Sequence, residues 1–154
     1  MNEIHFEPLP PHEDEPGEVR IIIDGADLID LAREVELPFA TREGSPDIAG
    51  GYAGLKRAAV TPPSTHFLGE PNSRIHEWSD RIQVLECDGC REPGCWPLFC
   101  RIEVTEDRVR WSDFEQPHRS GSGGGSKWDH RDLGPFEFDR AQYERALAAL
   151  PRVE

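Results

Sequence analysis

The sequence predicts an α+β fold built around a mainly antiparallel sheet. Short β-branched or alternating segments recur along the chain, separate segments carry a helical period, and no regular strand–helix–strand alternation joins them. Fourteen prolines and fourteen glycines, in a chain 36% hydrophobic and 31% charged, argue against a helical bundle and for a folded domain with long irregular connections. With 154 residues the chain fits one domain, because single domains commonly run about 100–150 residues.

Residues 1–18, MNEIHFEPLPPHEDEPGE, are acidic and proline-rich, and read as an extended arm ahead of a single domain over 19–154. Val19-Arg20-Ile21-Ile22-Ile23 is β-branched and ends at Asp24-Gly25, which predicts a buried strand and a turn. Leu28, Leu31, Ala32 and Val35 then recur at helical spacing, predicting a helix over about 26–36 that stops before Pro38. Residues 39–77 show little periodicity and are expected to form a long connection, either an ordered wrap or a functional loop.

Ile82-Gln83-Val84-Leu85 reads as a second strand, running directly into Cys87. Leu98, Cys100, Ile102 and Val104 alternate with polar or aromatic neighbours, Glu106-Asp107 can turn the chain, and Val109 and Trp111 resume the alternation. A β-hairpin over 98–114 with one buried face follows. The Ser/Gly-rich stretch 120–126 has the composition of a flexible linker. Phe136-Glu137-Phe138 predicts a short strand, and Asp139 with Gln142 three residues on starts a helix over 139–150 in capping-box fashion. Its apolar stripe is Tyr143, Ala146, Leu147 and Leu150.

All four cysteines lie between positions 87 and 100, in CDGCREPGCWPLFC. The pair Cys87-x2-Cys90 can grip one ion, because a tight turn brings both sulfurs to one side. Clustered cysteines in a reducing compartment are more often metal ligands or redox groups than disulfides. A thioredoxin-like pair needs a helix start after the motif, which Arg91-Glu92-Pro93-Gly94 does not supply. The spacing Cys87-x2-Cys90-x4-Cys95-x4-Cys100 resembles the zinc knuckle, with Cys95 where the knuckle has histidine. That resemblance implies zinc held by Cys87, Cys90, Cys95 and Cys100. Cys100 also falls on the buried face of the hairpin, where a free thiol acts as a small hydrophobe. In that case His118 is the alternative fourth donor, with His66 and His76 behind it.

The segments GCWPLF, VRWSDFEQPHR and WDHRDLGPFEFDRAQYERAL, with IDGADLIDLAREVELP and EGSPDIAGGYAGL, resemble a family of small uncharacterised bacterial proteins. The resemblance spans most of residues 19–150. It implies no established activity, and implies cysteines at 87, 90 and 95 more firmly than at 100.

Thirty acidic residues against seventeen basic ones give a formal net charge of -13. That field repels phosphate backbones, so nucleic acid and anionic membranes are disfavoured partners. The N-terminus has neither a basic nor an apolar targeting region, and no run approaches the ~20 apolar residues of a membrane span, so the cytoplasm is the expected compartment. Arg74-Ile75-His76-Glu77-Trp78-Ser79-Asp80 collects polar groups but is not the HExxH arrangement, since Asp occupies position 80. Residues 111–119 place polar groups together at a strand end, where they can rim a pocket. The expected function is a zinc-stabilised protein that binds an unidentified protein partner. The alternatives are an acidic immunity-type inhibitor of a basic toxin and an enzyme with an open zinc site.

Overall fold

The computed structural model describes residues 1–11, 17–71, 80–90, 95–121 and 127–152. Most of the strands lie in one antiparallel path: β1 (Ile4–Leu9), β2 (Glu18–Ile23), β4 (Tyr52–Lys56), β5 (Ile82–Cys87), β6 (Leu98–Val104), β7 (Arg108–Glu115) and β8 (Phe136–Asp139) are neighbours in that order, and the short β3 (Ala26–Asp27) pairs off this path with β2. The helices are α1 (Leu28–Arg42), α2 (Arg57–Val60) and α3 (Arg140–Ala148). The α+β class read from the sequence is therefore the observed one. A bridge between Asn2 and Phe138 joins the chain's start to β8, so the two edges of the sheet meet at one end.

The segment expected as an arm contributes β1 to the sheet. Ile4 and Phe6 are buried in the core while His5 and Glu7 face outward, which is ordinary strand alternation. Residues 12–16 lie outside the described residues. At the end of β2, Asp24 and Gly25 both take positive φ, 51° and 84°, and connect Ile23 to its cross-strand partner Ala26. Two successive left-handed residues define the hairpin turn whose twist matches the strands.

Helix α1 is longer than its periodicity predicts. Asp27 caps it, accepting from the Ile29 amide at 2.8 Å, and the helix runs through Pro38 to Arg42. Pro38 removes one intrahelical donor. Packing sustains the last turns: Ala40 is fully buried and, with Phe39 beside it, packs against Ala49 and Trp128.

The 39–77 connection is an ordered wrap over its described part, holding β4, α2 and two short 3-10 turns. Tyr52 through Leu55 are all buried, so β4 shows no alternation to read. Gly54 lies so close to β2 that a Cβ there would collide with the Val19 carbonyl. The 98–114 hairpin appears as β6 and β7, closed by the Thr105 amide donating to Arg108 O at 2.8 Å. Phe99 faces Glu115 and Arg101 faces Ser112, so β7 carries one extra residue; Asp113, at φ 54°, sits in this bulge. Helix α3 starts at the expected cap, with the Gln142 amide donating to Asp139 at 3.0 Å, but the Gln142 side chain bonds the Ile4 backbone instead of closing a capping box. Its Tyr143, Ala146 and Leu147 join a core with Phe6, Phe67, Trp111 and Phe138.

Candidate metal centre

The candidate centre is built on the connection between β5 and β6. β5 delivers Cys87 at its end, opposite Tyr52 of β4, and the Asp88 amide donates to Gly51 O at 3.3 Å as the chain turns. The chain returns through Cys95, Trp96 and Pro97 into β6. This fold-back brings the sulfurs of Cys87, Cys90 and Cys95 within 4.8 Å of one another, with Cys90 and Cys95 exposed and Cys87 half-buried. A hydrogen bond with Cys90, then loss of solvent and the Cys87 thiol, pushes Cys95 up to about 12. A group of three such thiols could hold a metal ion, since a coordinated cation favours the thiolates that mutual repulsion disfavours.

Cys100 is not part of this group. The β6 alternation turns its side chain, with Leu98 and Ile102, into the core, where it is fully buried opposite Ile82. Burial pushes its thiol well above the ordinary value, as befits a neutral core residue. His118 lies outside the sulfur cluster but flanks it. Its ring stacks on Trp96, the residue after Cys95, with centroids 5.9 Å apart and planes within 5°. His66 is buried elsewhere, bonded through Nε2 to Gln83 O at 2.7 Å. His76, most of the 74–80 cluster and residues 122–126 lie outside the described residues.

Trp96 ties the cysteine turn to the rest of the molecule. Trp128 meets it edge-on at 5.8 Å, and the Arg119 guanidinium lies over both indoles, 5.1 Å from Trp96 and 5.6 Å from Trp128. Glu43, at the end of α1, accepts from Arg119 Nε at 3.1 Å and from the Trp128 indole at 2.5 Å.

Behind this clasp is a buried polar network that periodicity and spacing do not reveal. Glu36 is fully buried and accepts from the Gly50 amide at 2.9 Å, the Tyr52 hydroxyl at 2.5 Å and His130 Nε2 at 2.7 Å. Gln116 donates to Tyr52 at 3.5 Å and to Pro97 O at 3.0 Å, and accepts from the His118 amide at 2.9 Å. The network thus reaches the segment following Cys95. Burial, followed by the Glu36 charge, raises the Tyr52 hydroxyl well above its usual value. The sequence does hold one sign of it: Ile29, Ala32, Glu36 and Ala40 form the buried stripe of α1, and a carboxylate in such a stripe needs partners.

The 111–119 segment does rim a cavity. Ser112, Asp113, Phe114 and Glu115 line a space of about 400 Å³. No family model, curated protein or solved structure matches the chain. Among the described residues no helix is long and apolar enough to cross a membrane.

Proposed function

We propose that Cys87, Cys90 and Cys95 bind a zinc ion that pins the β5–β6 connection, and that the protein acts by binding another protein in the bacterial cytoplasm. The convergence of three sulfurs within 4.8 Å carries the reading. Tetrahedral thiolates at a Zn–S distance of about 2.3 Å stand roughly 3.8 Å apart, so little movement is needed. Thiolates select soft or borderline ions, zinc among them. The ion would supply folding energy to a turn that the core does not cover. The fourth place falls to His118 or to water, since Cys100 is committed to the core. A net charge of -13 favours a partner with a basic surface.

Elemental analysis of purified, untagged protein is expected to show one zinc per chain. Cys90→Ser should lose it and Cys100→Ser should keep it, while His118→Ala separates a histidine-closed site from one completed by water. Chelation should lower the thermal midpoint of the wild-type chain by about 5 °C or more and leave that of Cys90→Ser unchanged. Wild-type protein without stoichiometric metal, and with a midpoint indifferent to chelator, overturns the reading. For the partner, capture by metal-loaded protein is compared with capture by Cys90→Ser. A protein retained equally by both does not depend on the zinc-ordered turn.

A further inference from the structure

The cavity beside the β7 bulge lies apart from the sulfur cluster and has its own chemistry. One wall is β7 around its bulge, with Arg110, Ser112, Asp113 and Glu115; the segment 127–135 forms the other, with Lys127, Asp129, His130 and Arg131, and Arg81 completes the rim. Trp128 and Leu133 add apolar surface. Four cations, Arg81, Arg110, Lys127 and Arg131, share this lining with the carboxylates Asp113, Glu115 and Asp129. Arg81 is paired with Glu115 and Arg131 with Asp129, but Arg110 and Lys127 make no ion pair among the described residues.

His130 supplies the second observation. Its side chain is only 1% exposed, and its Nδ1 is buried with no hydrogen-bond partner in the protein. A carboxylate only accepts, so the 2.7 Å contact with Glu36 calls for a proton on His130 Nε2, and in the neutral ring the other nitrogen carries none. Nδ1 is then an acceptor held in one orientation by a buried carboxylate, and its desolvation is unrepaid unless something donates to it. The φ of 54° at Asp113 places a strained bulge at the same cavity, as is common at binding sites.

We propose that this cavity binds a small oxyanion that also bears a hydroxyl group. Arg110 and Lys127 take the anionic end, and the hydroxyl donates to His130 Nδ1. Hydrogen phosphate and 2-hydroxycarboxylates share that chemistry. The proposal is independent of the zinc reading, since it uses none of the cysteines.

The test is an amide NMR titration of the full chain with inorganic phosphate, glycolate and acetate in parallel. Saturable shifts centred on Ser112, Lys127 and His130 are expected with phosphate, glycolate or both, and which probe binds more tightly assigns the ligand class. Acetate lacks the hydroxyl, and should bind about tenfold more weakly than glycolate. Arg110 is exposed, so Arg110→Ala should retain the wild-type spectrum and weaken binding by about tenfold. The proposal is overturned by shifts that do not saturate or that centre elsewhere, by acetate binding as tightly as glycolate, or by unchanged affinity in Arg110→Ala.

Discussion

The chain has two tyrosines, both fully buried, and their surroundings divide the molecule. Tyr143 sits in an aromatic core: Phe6 and Phe138 pack on it at 5.6 Å, its hydroxyl donates to Phe67 O, and the Trp111 indole donates back at 3.1 Å. The Tyr143 hydroxyl and the Trp111 indole both have neutral partners. Tyr52 instead donates to a buried carboxylate that also holds a histidine, and the chain leading from it reaches the cysteine turn. Burying a charge is expensive, and an apolar replacement of similar volume often serves stability better. Packing and neutral hydrogen bonds account for the surroundings of Tyr143. The region of Tyr52 holds a carboxylate, a histidine with an unpartnered nitrogen and three clustered thiols, and packing does not account for them.

The sharpest way to break the contrast is Glu36→Ala. It strips the acceptor from Gly50, Tyr52 and His130 together, and since each buried donor left unsatisfied costs roughly 1–3 kcal/mol, it should cost about 3–5 kcal/mol of stability or more, read as a lowered urea midpoint. In the aromatic region, Tyr143→Phe leaves the Trp111 indole and the Phe67 carbonyl unpaired but no charge, so a smaller loss of about 1–3 kcal/mol is expected. A Glu36→Ala loss no larger than the Tyr143→Phe loss would show that the polar network is no more coupled than ordinary core hydrogen bonds. Circular dichroism of both variants distinguishes lost stability from a lost fold.

How legible each region was follows from the range of its interactions. The hairpin over 98–114, the Asp139 cap and the cysteine turn depend on residues close in sequence, and their spacing displays them. β4 has both faces buried, so Tyr52 to Leu55 offer no period, and its clearest mark is the glycine that fits beneath Val19. β1 does alternate, in Ile4-His5-Phe6-Glu7, but the prolines behind it are the signature of an extended arm. Pro38 marked an end to α1 that packing of Ala40 overrides. The Glu36–His130 contact spans 94 positions and Gln116 meets Tyr52 across 64. Such convergence is a property of the assembled sheet, and only a carboxylate on an apolar stripe hinted at it.

The smallest effect expected is a pH dependence that separates stability from function. His66 belongs to the packed region: its ring meets Phe67 edge-on at 5.5 Å, and it is bonded to Gln83 O. Burial holds its imidazole below the ordinary histidine value, partly opposed by that hydrogen bond. The unfolded chain therefore takes up a proton at a pH where the folded chain does not. Stability from this group is complete above the ordinary histidine value and declines as the pH falls through it, with a slope of at most about 1.4 kcal/mol per pH unit for one proton. Urea midpoints measured from pH 8 down to 5 should fall less steeply in His66→Gln than in the wild type. Equal slopes in the two chains would mean that the acid sensitivity resides elsewhere.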